Sequence, residues 1–188
     1  MLAPAGGKAN EDACDDMRKV AGNGDCPVMF LSTKQKNARA NCLRERPDGV
    51  DISGSSDGTP LHISGTVTTA DGTPLANAWV DVWQADDDGY YDVQKPGDEE
   101  ELRARFRSDA EGKFSFWTIV PTSYPIPADG PVGQMLIATG RHPYRPAHIH
   151  FMIGQEGYET LVTHLFVAGD PYLTRPRTTA TPQLRVVS

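Results

Sequence analysis

The sequence predicts a mainly β chain that folds as an antiparallel β-sandwich with long loops between some of its strands. Short runs of alternating apolar and polar residues recur from Leu61 onward, and turn signals such as Asp71-Gly72 separate them. No long stretch with the apolar period of an α-helix lies between these runs. A sandwich or small barrel of short antiparallel strands is the fold class that combines these features.

Six strands are predicted, each rich in β-branched or aromatic residues and bounded by residues that form turns. They cover residues 62–68, 78–83, 104–108, 113–120, 147–153 and 161–166. The third and fourth strands are joined by the short connection 109–112, which ends in glycine. The predicted core is therefore built from strands.

The two ends of the chain fit this strand pattern least. Residues 12–20 and 32–46 have the length of short helices but lack a clear apolar stripe, so a short irregular or weakly helical segment is predicted over 1–46. A turn-rich approach then leads into a β-sandwich domain over 47–173, and a polar tail is predicted over 174–188. The three cysteines lie in the first quarter at irregular spacings, which favours ordinary reduced thiols: Cys14, Cys26 and Cys42.

Composition argues against several classes of function. The chain has 188 residues and a formal net charge of −7 but no basic stripe, so no nucleic-acid partner is expected. The start of the chain lacks the basic residues and apolar centre of a signal peptide. No apolar run of about 18 residues is present, so no membrane partner is expected either. The expected location is the cytoplasm.

The stretch from Gly140 to Ile153 contains the strongest candidate for a functional site. A β-strand through His148-Ile149-His150 directs both imidazoles to the same side, because successive side chains alternate between the two faces. Imidazole is a common ligand of iron, copper, nickel and zinc. An isolated pair of this kind is more often two half-exposed strand histidines, so the other ligands must come from elsewhere in the chain.

Two long predicted loops each contribute tyrosine. The loop 86–92 contains Tyr90 and Tyr91, and the loop 121–131 contains Tyr124 among four prolines, which restrict its backbone. The alternative is that these tyrosines simply cover an edge of the sandwich. The acidic triplet 86–88 lacks the alternating spacing of a calcium loop and is interpreted as a solvated turn.

Four motifs, taken in order, resemble the intradiol ring-cleavage dioxygenases, which are non-haem iron(III) enzymes. They are GTVTTADGTPLANAWVDVWQ over 65–84, GYY over 89–91, YPIP over 124–127 and GRHPYRPAHIHF over 140–151. The resemblance covers about two thirds of the chain, so 47–173 is interpreted as the catalytic domain. It implies that iron(III) is the cofactor and that its ligands are Tyr91, Tyr124, His148 and His150.

The resemblance also implies roles for individual side chains. The G-x-Y pattern selects Tyr91 over Tyr90 as the ligand, while His142 is not a ligand in the family. Tyr124 is expected to leave the metal when substrate binds and to act as a base. Arg145 corresponds to the arginine that faces the substrate. The implied partners are a small aromatic diol or triol and O2.

Within the family, the residues are most similar to the hydroxyquinol branch. The step of 24 residues from Tyr124 to His148 matches the catechol and hydroxyquinol enzymes, and His164 stands where catechol enzymes usually have glutamine. The implied reaction converts hydroxyquinol to 3-hydroxy-cis,cis-muconate, which tautomerises to maleylacetate. The enzymes of this family usually begin with a helical domain that pairs subunits, and the residues before 47 do not resemble it. A homodimer is therefore left open.

Two other functions compete with this interpretation. A cupin metal site also uses an H-x-H pair, with Glu156 downstream, but Gly154 interrupts the strand before that glutamate. The pattern over 65–82 also occurs in noncatalytic sandwich modules of the transthyretin-like or carboxypeptidase-regulatory-like type. An inactive, truncated dioxygenase belongs with that second alternative, and metal content distinguishes both from an active enzyme.

Overall fold

A computed structural model describes residues 43–95, 100–126, 128–173 and 183–184. The three cysteines, the stretch 12–20, most of 32–46 and most of the predicted tail lie outside the described residues. The elements, in chain order, are β1 Pro60–Thr66, β2 Trp79–Gln84, a 3-10 turn Asp92–Gln94, β3 Arg103–Arg107, β4 Lys113–Ile119, β5 Tyr124–Pro125, α1 Pro131–Ala138, β6 Tyr144–Arg145, β7 His148–Gly154, β8 Leu161–Val167 and β9 Gln183–Leu184.

Two main sheets form the body of the molecule. Strands β1 and β4 pair with each other, and the larger sheet has the order β3-β2-β7-β8-β9. All pairings in these sheets are antiparallel except the short parallel contact between β8 and β9. This confirms the predicted mainly β fold with antiparallel sheets. Each of the six predicted strands is present, with ends that differ by at most two residues.

The hydrophobic core lies between the two sheets. Val80 and Val82 of β2 and Phe106 of β3 are fully buried, and the ring of Phe106 stacks on Phe116 of β4 with centroids 4.9 Å apart. These residues occupy alternate positions of their strands, so one face of the larger sheet is apolar. The other face of β2 and β7 carries polar side chains, among them the predicted ligands His148 and His150.

A buried glutamine connects the two sheets near the site. Gln84, at the end of β2, donates a hydrogen bond to the carbonyl of Ile119 and accepts one from the hydroxyl of Thr118. Because both partners belong to β4, this amide is satisfied without water and fixes the distance between the sheets at this end. The loop that carries Tyr91 begins directly after this anchor.

A buried ion pair joins two strands on the outer face of the larger sheet. Arg105 donates two hydrogen bonds to the Asp81 carboxylate, at 2.6 and 2.7 Å, and its guanidinium lies 5.2 Å from the centroid of the Trp79 ring. Burial raises the pKa of Asp81, and the hydrogen bonds from Arg105 oppose that shift. The bidentate geometry ties β2 to β3 on the face that carries the candidate site.

The turn-rich approach before β1 is part of the folded body. The amide of Arg46 donates to the carbonyl of Arg105, and the amide of Arg105 donates to the carbonyl of Arg44. Farther along, Val50 and Ile52 exchange backbone hydrogen bonds with Trp117 of β4. The segment therefore contacts both sheets, an arrangement that its Gly- and Pro-rich sequence did not reveal.

Helix α1 was not predicted from the sequence. It has eight residues, starts after Gly130 with Pro131 in its first turn, and leaves Met135 and Ile137 exposed, the latter by 76%. Proline suits a first helical turn, so the start signal was present. The segment is too short and too evenly apolar to show a helical stripe. Among the described residues, no helix is long and apolar enough to cross a membrane.

Candidate metal centre

The candidate centre lies on the outer face of the larger sheet, at the end where β7 begins. Two loops close over this end. One follows β2 and carries Tyr91, and the other follows β4 and carries Tyr124. The two-residue ladder of β5 and β6 pairs Tyr124 with Arg145 and so links the second loop to the approach to β7.

The two strand histidines lie side by side. The Nε2 atoms of His148 and His150 are 3.2 Å apart, which is the arrangement expected for residues i and i+2 of one strand. His148 is buried, whereas His150 is half-buried. The H-x-H stretch thus presents two imidazole nitrogens to one point.

The tautomer of His148 is fixed by the backbone. Its Nδ1 lies 2.6 Å from the carbonyl oxygen of Pro146, so Nδ1–H donates and the Nε2 lone pair faces the site. Burial lowers the pKa of His148 to about 4, and the positive charge of Arg145 acts in the same direction. The imidazole is therefore neutral at neutral pH, which is the state that binds a metal.

The loop that carries Tyr91 is a rigid turn built on Asp86. The Asp86 carboxylate accepts hydrogen bonds from the amides of Asp88 and Tyr90 and lies 2.7 Å from the Lys95 ammonium. Asp86 is only 2% exposed, so the prediction of a solvated turn is wrong for this residue. Its short side chain satisfies the turn's own amides, which a list of acidic residues does not show.

Gly89 brings the two loops into contact. Its φ is +87°, in the region that favours glycine, and a Cβ at this position would lie 2.7 Å from the Cβ of Tyr124. This close approach explains why glycine occupies the first position of the G-x-Y motif. Any larger side chain would push the Tyr124 loop away from the Tyr91 loop.

Tyr91 points into the site, whereas Tyr90 is 54% exposed. The Tyr91 hydroxyl oxygen is 2.8 Å from that of Tyr124 and 3.0 Å from Nε2 of His150. Burial raises the pKa of Tyr91, and the neighbouring Tyr124 hydroxyl raises it further. Without a cation this phenol stays neutral, and a bound metal ion would reverse that preference.

Arg145 reaches the same cluster from β6. Its Nη1 donates a hydrogen bond of 2.9 Å to the Tyr124 hydroxyl oxygen, and its guanidinium carbon is 5.8 Å from the centroid of the Tyr124 ring. The guanidinium therefore holds a fixed positive charge beside the Tyr124 hydroxyl oxygen. The structure thus brings together all five side chains that the resemblance singled out: Tyr91, Tyr124, Arg145, His148 and His150.

The donor atoms have the spacing of a single metal site. Successive separations along Tyr124, Tyr91, His150 and His148 are 2.8, 3.0 and 3.2 Å. An ion bound at about 2.0–2.1 Å holds neighbouring ligand atoms roughly 3 Å apart. The three separations are those expected between neighbouring ligands if two phenol oxygens and two imidazole nitrogens bind one ion. Two anionic oxygens in such a set stabilise a trivalent metal more than a divalent one.

A third histidine borders this cluster. The donor atoms of His148, His150 and His164 all lie within 4.8 Å of one another. From the sequence, His164 was used only as an indication of the branch of the family, and it was not predicted as a site residue. Its place follows from the register of β7 and β8, in which His164 stands opposite His150. That register cannot be read from the sequence alone.

His142 lies away from the cluster. It is exposed, and its ring packs against Tyr172 with centroids 5.1 Å apart. Tyr172 in turn stacks on Tyr144, with centroids 4.5 Å apart. His142 therefore belongs to a surface stack of rings and does not face the donor atoms.

Comparison with protein families agrees with this arrangement. The family model described as Dioxygenase matches residues 36–188, most of the chain. The chain belongs to the intradiol dioxygenase family. This result confirms the resemblance drawn from the four motifs and favours it over a cupin site and over noncatalytic sandwich modules of other families.

Relatives of this chain are named for a narrow group of substrates. The hydroxyquinol 1,2-dioxygenase of Nocardioides simplex is 54% identical over 127 residues, which are 68% of this chain and 43% of the relative. The 6-chlorohydroxyquinol 1,2-dioxygenase of Cupriavidus pinatubonensis is 56% identical over 126 residues, which are 66% of this chain and 46% of that protein. The chain therefore spans less than half the length of these curated relatives.

Solved structures show the same fold. The crystal structure of hydroxyquinol 1,2-dioxygenase from Pseudomonas putida DLL-E4 superposes with a TM-score of 0.66 at 40% identity, covering 84% of this chain and 54% of that one. Catechol 1,2-dioxygenase from Pseudomonas arvilla C-1 also has a TM-score of 0.66, at 37% identity, over 70% of this chain and 43% of that one. The sandwich described above is thus the fold of intradiol dioxygenases.

Proposed function

We propose that this chain binds iron(III) through Tyr91, Tyr124, His148 and His150 and uses it to cleave a catecholic ring with O2 between the two hydroxylated carbons. The observation that carries the proposal is the convergence of these four donors, at separations of 2.8 to 3.2 Å, beside the Arg145 guanidinium. A noncatalytic sandwich module needs none of these five side chains in one place. Membership of the dioxygenase family supports the same conclusion.

The preferred substrate in this proposal is hydroxyquinol. It gives 3-hydroxy-cis,cis-muconate, which tautomerises to maleylacetate. Support comes from the names of the relatives at 54% and 56% identity, both of which act on hydroxyquinol or its 6-chloro derivative. His164 stands beside the donors, where the catechol enzymes usually have glutamine.

Tyr91, Tyr124, His148 and His150 would hold iron(III), which would supply Lewis-acid and redox chemistry for the reaction of a catecholic ring with O2. The remaining work falls to side chains of the chain itself. His148 stays neutral and correctly oriented because Pro146 holds its Nδ1–H. The Tyr124 oxygen accepts a proton from a substrate hydroxyl. The Tyr91 oxygen lies next to two other donor atoms, those of Tyr124 and His150, and stays in the ligand set.

Arg145 has two tasks that follow from its position. Its hydrogen bond to the Tyr124 oxygen holds that side chain in place before substrate arrives. When that oxygen is protonated and turns away, the guanidinium keeps its charge and faces the substrate ring. A preorganised cation at this point stabilises negative charge that develops on the ring during the reaction.

The substrate proposal predicts a ranking that can be measured directly. Hydroxyquinol should be turned over faster than catechol, and protocatechuate hardly at all, with one O2 consumed per ring cleaved. Oxygen uptake and identification of the product by mass spectrometry give both results. Faster turnover of catechol would contradict the assignment to hydroxyquinol, and an extradiol product would contradict the proposed reaction.

A further inference from the structure

Three ring-bearing residues form a row across the larger sheet at the candidate centre. In the strand registers, Trp83 of β2 stands opposite His150 of β7, and His150 stands opposite His164 of β8. Residues directly opposite one another on neighbouring strands project to the same face and contact each other. All three rings therefore lie on the face that carries the metal donors.

On one side, His150 is covered by a parallel ring. The imidazole and the Trp83 indole have centroids 4.7 Å apart and planes inclined by only 8°. Offset stacking of this kind is a favoured geometry for aromatic pairs. Because the planes are parallel, a rotation of the imidazole about its long axis would bring its edge against the indole.

On the other side, His150 meets a ring from the next strand. The His164 imidazole lies 4.4 Å away, tilted by 60°. His164 is itself backed by Phe166, with centroids 5.9 Å apart. His150 is thus enclosed between an indole and an imidazole that belong to two different strands.

Defined contacts hold the ring of each proposed histidine ligand. A backbone hydrogen bond at Nδ1 fixes the ring of His148. The ring of His150 is enclosed by ring contacts on both sides. We propose that Trp83 and His164 are positioning residues that hold the His150 imidazole in the orientation that binds the metal. This inference rests on the proposed iron site.

The stack also favours the loaded state electrostatically. The face of an indole is electron-rich and attracts positive charge. An imidazole that donates its Nε2 lone pair to a metal cation becomes more positive than a free one. Trp83 should therefore interact more strongly with His150 when metal is bound, and its loss should be felt mainly as faster release of the metal.

Two roles of His164 can be separated by substitution. As a positioning residue it acts through its ring, and as a metal ligand it would act through a nitrogen. His164→Phe keeps a ring in the row but removes both nitrogens. If His164 only positions His150, this variant should retain iron nearly as well as the wild type, whereas His164→Ala should lose it faster.

The test is the rate at which the iron-loaded full chain loses iron to a strong chelator. Residues that support a metal ligand typically contribute about 10- to 100-fold to metal affinity, so Trp83→Leu should release iron about 10-fold faster or more. Trp83→Phe, which keeps a ring on His150, should restore most of the wild-type rate. Urea unfolding of each iron-free variant checks that the fold is intact.

Trp79→Leu is the matched control. Trp79 is on the same strand and face as Trp83, but its ring contacts Arg105. The Trp79→Leu variant should therefore lose iron at a rate near the wild-type value. Equal acceleration in Trp79→Leu and Trp83→Leu, or no acceleration in Trp83→Leu, would overturn the inference while leaving the proposed function intact.

Loss of iron in His164→Phe equal to that in His164→Ala would show that His164 acts through a nitrogen and not through its ring, and would overturn the positioning role. A wild-type chain that binds no iron at all would instead overturn the proposed function, and this inference with it. The two failures are therefore distinguishable in one set of measurements.

Discussion

Replacement of His148 by alanine is expected to abolish stoichiometric iron binding and to lower kcat/KM by more than about 100-fold, since residues that only support a ligand already contribute about 10- to 100-fold. The change removes one of two neutral nitrogen donors and leaves the carbonyl of Pro146 without its partner. Iron content by elemental analysis and turnover of hydroxyquinol measure the two effects.

His142→Ala is the matched control for this change. His142 lies six residues earlier, is exposed and packs on Tyr172, so its removal should leave iron content unchanged. An H148A protein that still holds one iron per chain would show that the histidine is not a ligand. Loss of iron in both variants would point to general instability of this stretch.

Replacement of Arg145 by alanine is expected to lower kcat by about 100- to 1000-fold, the usual cost of removing a preorganised electrostatic group. Iron should stay bound, because Arg145 contacts the Tyr124 oxygen and is not one of the four donors. Steady-state kinetics with hydroxyquinol separate the effect on kcat from that on KM.

Two variants sharpen the test of Arg145. Arg145→Lys keeps the charge but loses the planar fork, so it should recover only part of the lost rate. Arg141→Ala removes an exposed arginine four residues earlier and should leave the kinetics unchanged. A change confined to KM in Arg145→Ala would show that the residue binds substrate without stabilising the transition state.

The strands could be predicted because their residues alternate strongly between apolar and polar. β2 and β7 also carry the aromatic and β-branched residues that fit a pleated surface. Helix α1 could not be predicted, because eight residues are too few to show a period and the preceding prolines indicate a loop. The docking of residues 44–52 depends on pairing with distant strands, which local sequence does not encode.

At the site, residue types and motifs were enough to name the donors, but not to describe what supports them. The selection of Tyr91 over Tyr90 came from the G-x-Y pattern, whose glycine avoids a clash with Tyr124. The burial of Asp86 and the row formed by Trp83, His150 and His164 depend on three-dimensional packing and strand register. Contacts of this kind, which support the ligands without being ligands, cannot be found from the spacing of ligand residues in the sequence.

The division of the chain at residues 46 and 173, the cytoplasmic location and a homodimer remain predictions. The exposed apolar residues Met135 and Ile137 on α1 are compatible with an association surface. Activity of the chain on its own is a proposal as well, because it spans only 43% and 46% of the length of the relatives compared above.

The most direct test of the central claim is the iron content and visible spectrum of the purified protein. We expect about one iron per chain and a wine-red colour from charge transfer between phenolate and iron(III), since a trivalent ion bound by Tyr91 and Tyr124 holds both as phenolates. Tyr124→Phe should alter that absorption band, and Tyr90→Phe should leave it unchanged. A colourless protein that contains stoichiometric zinc would contradict the proposed iron(III) site.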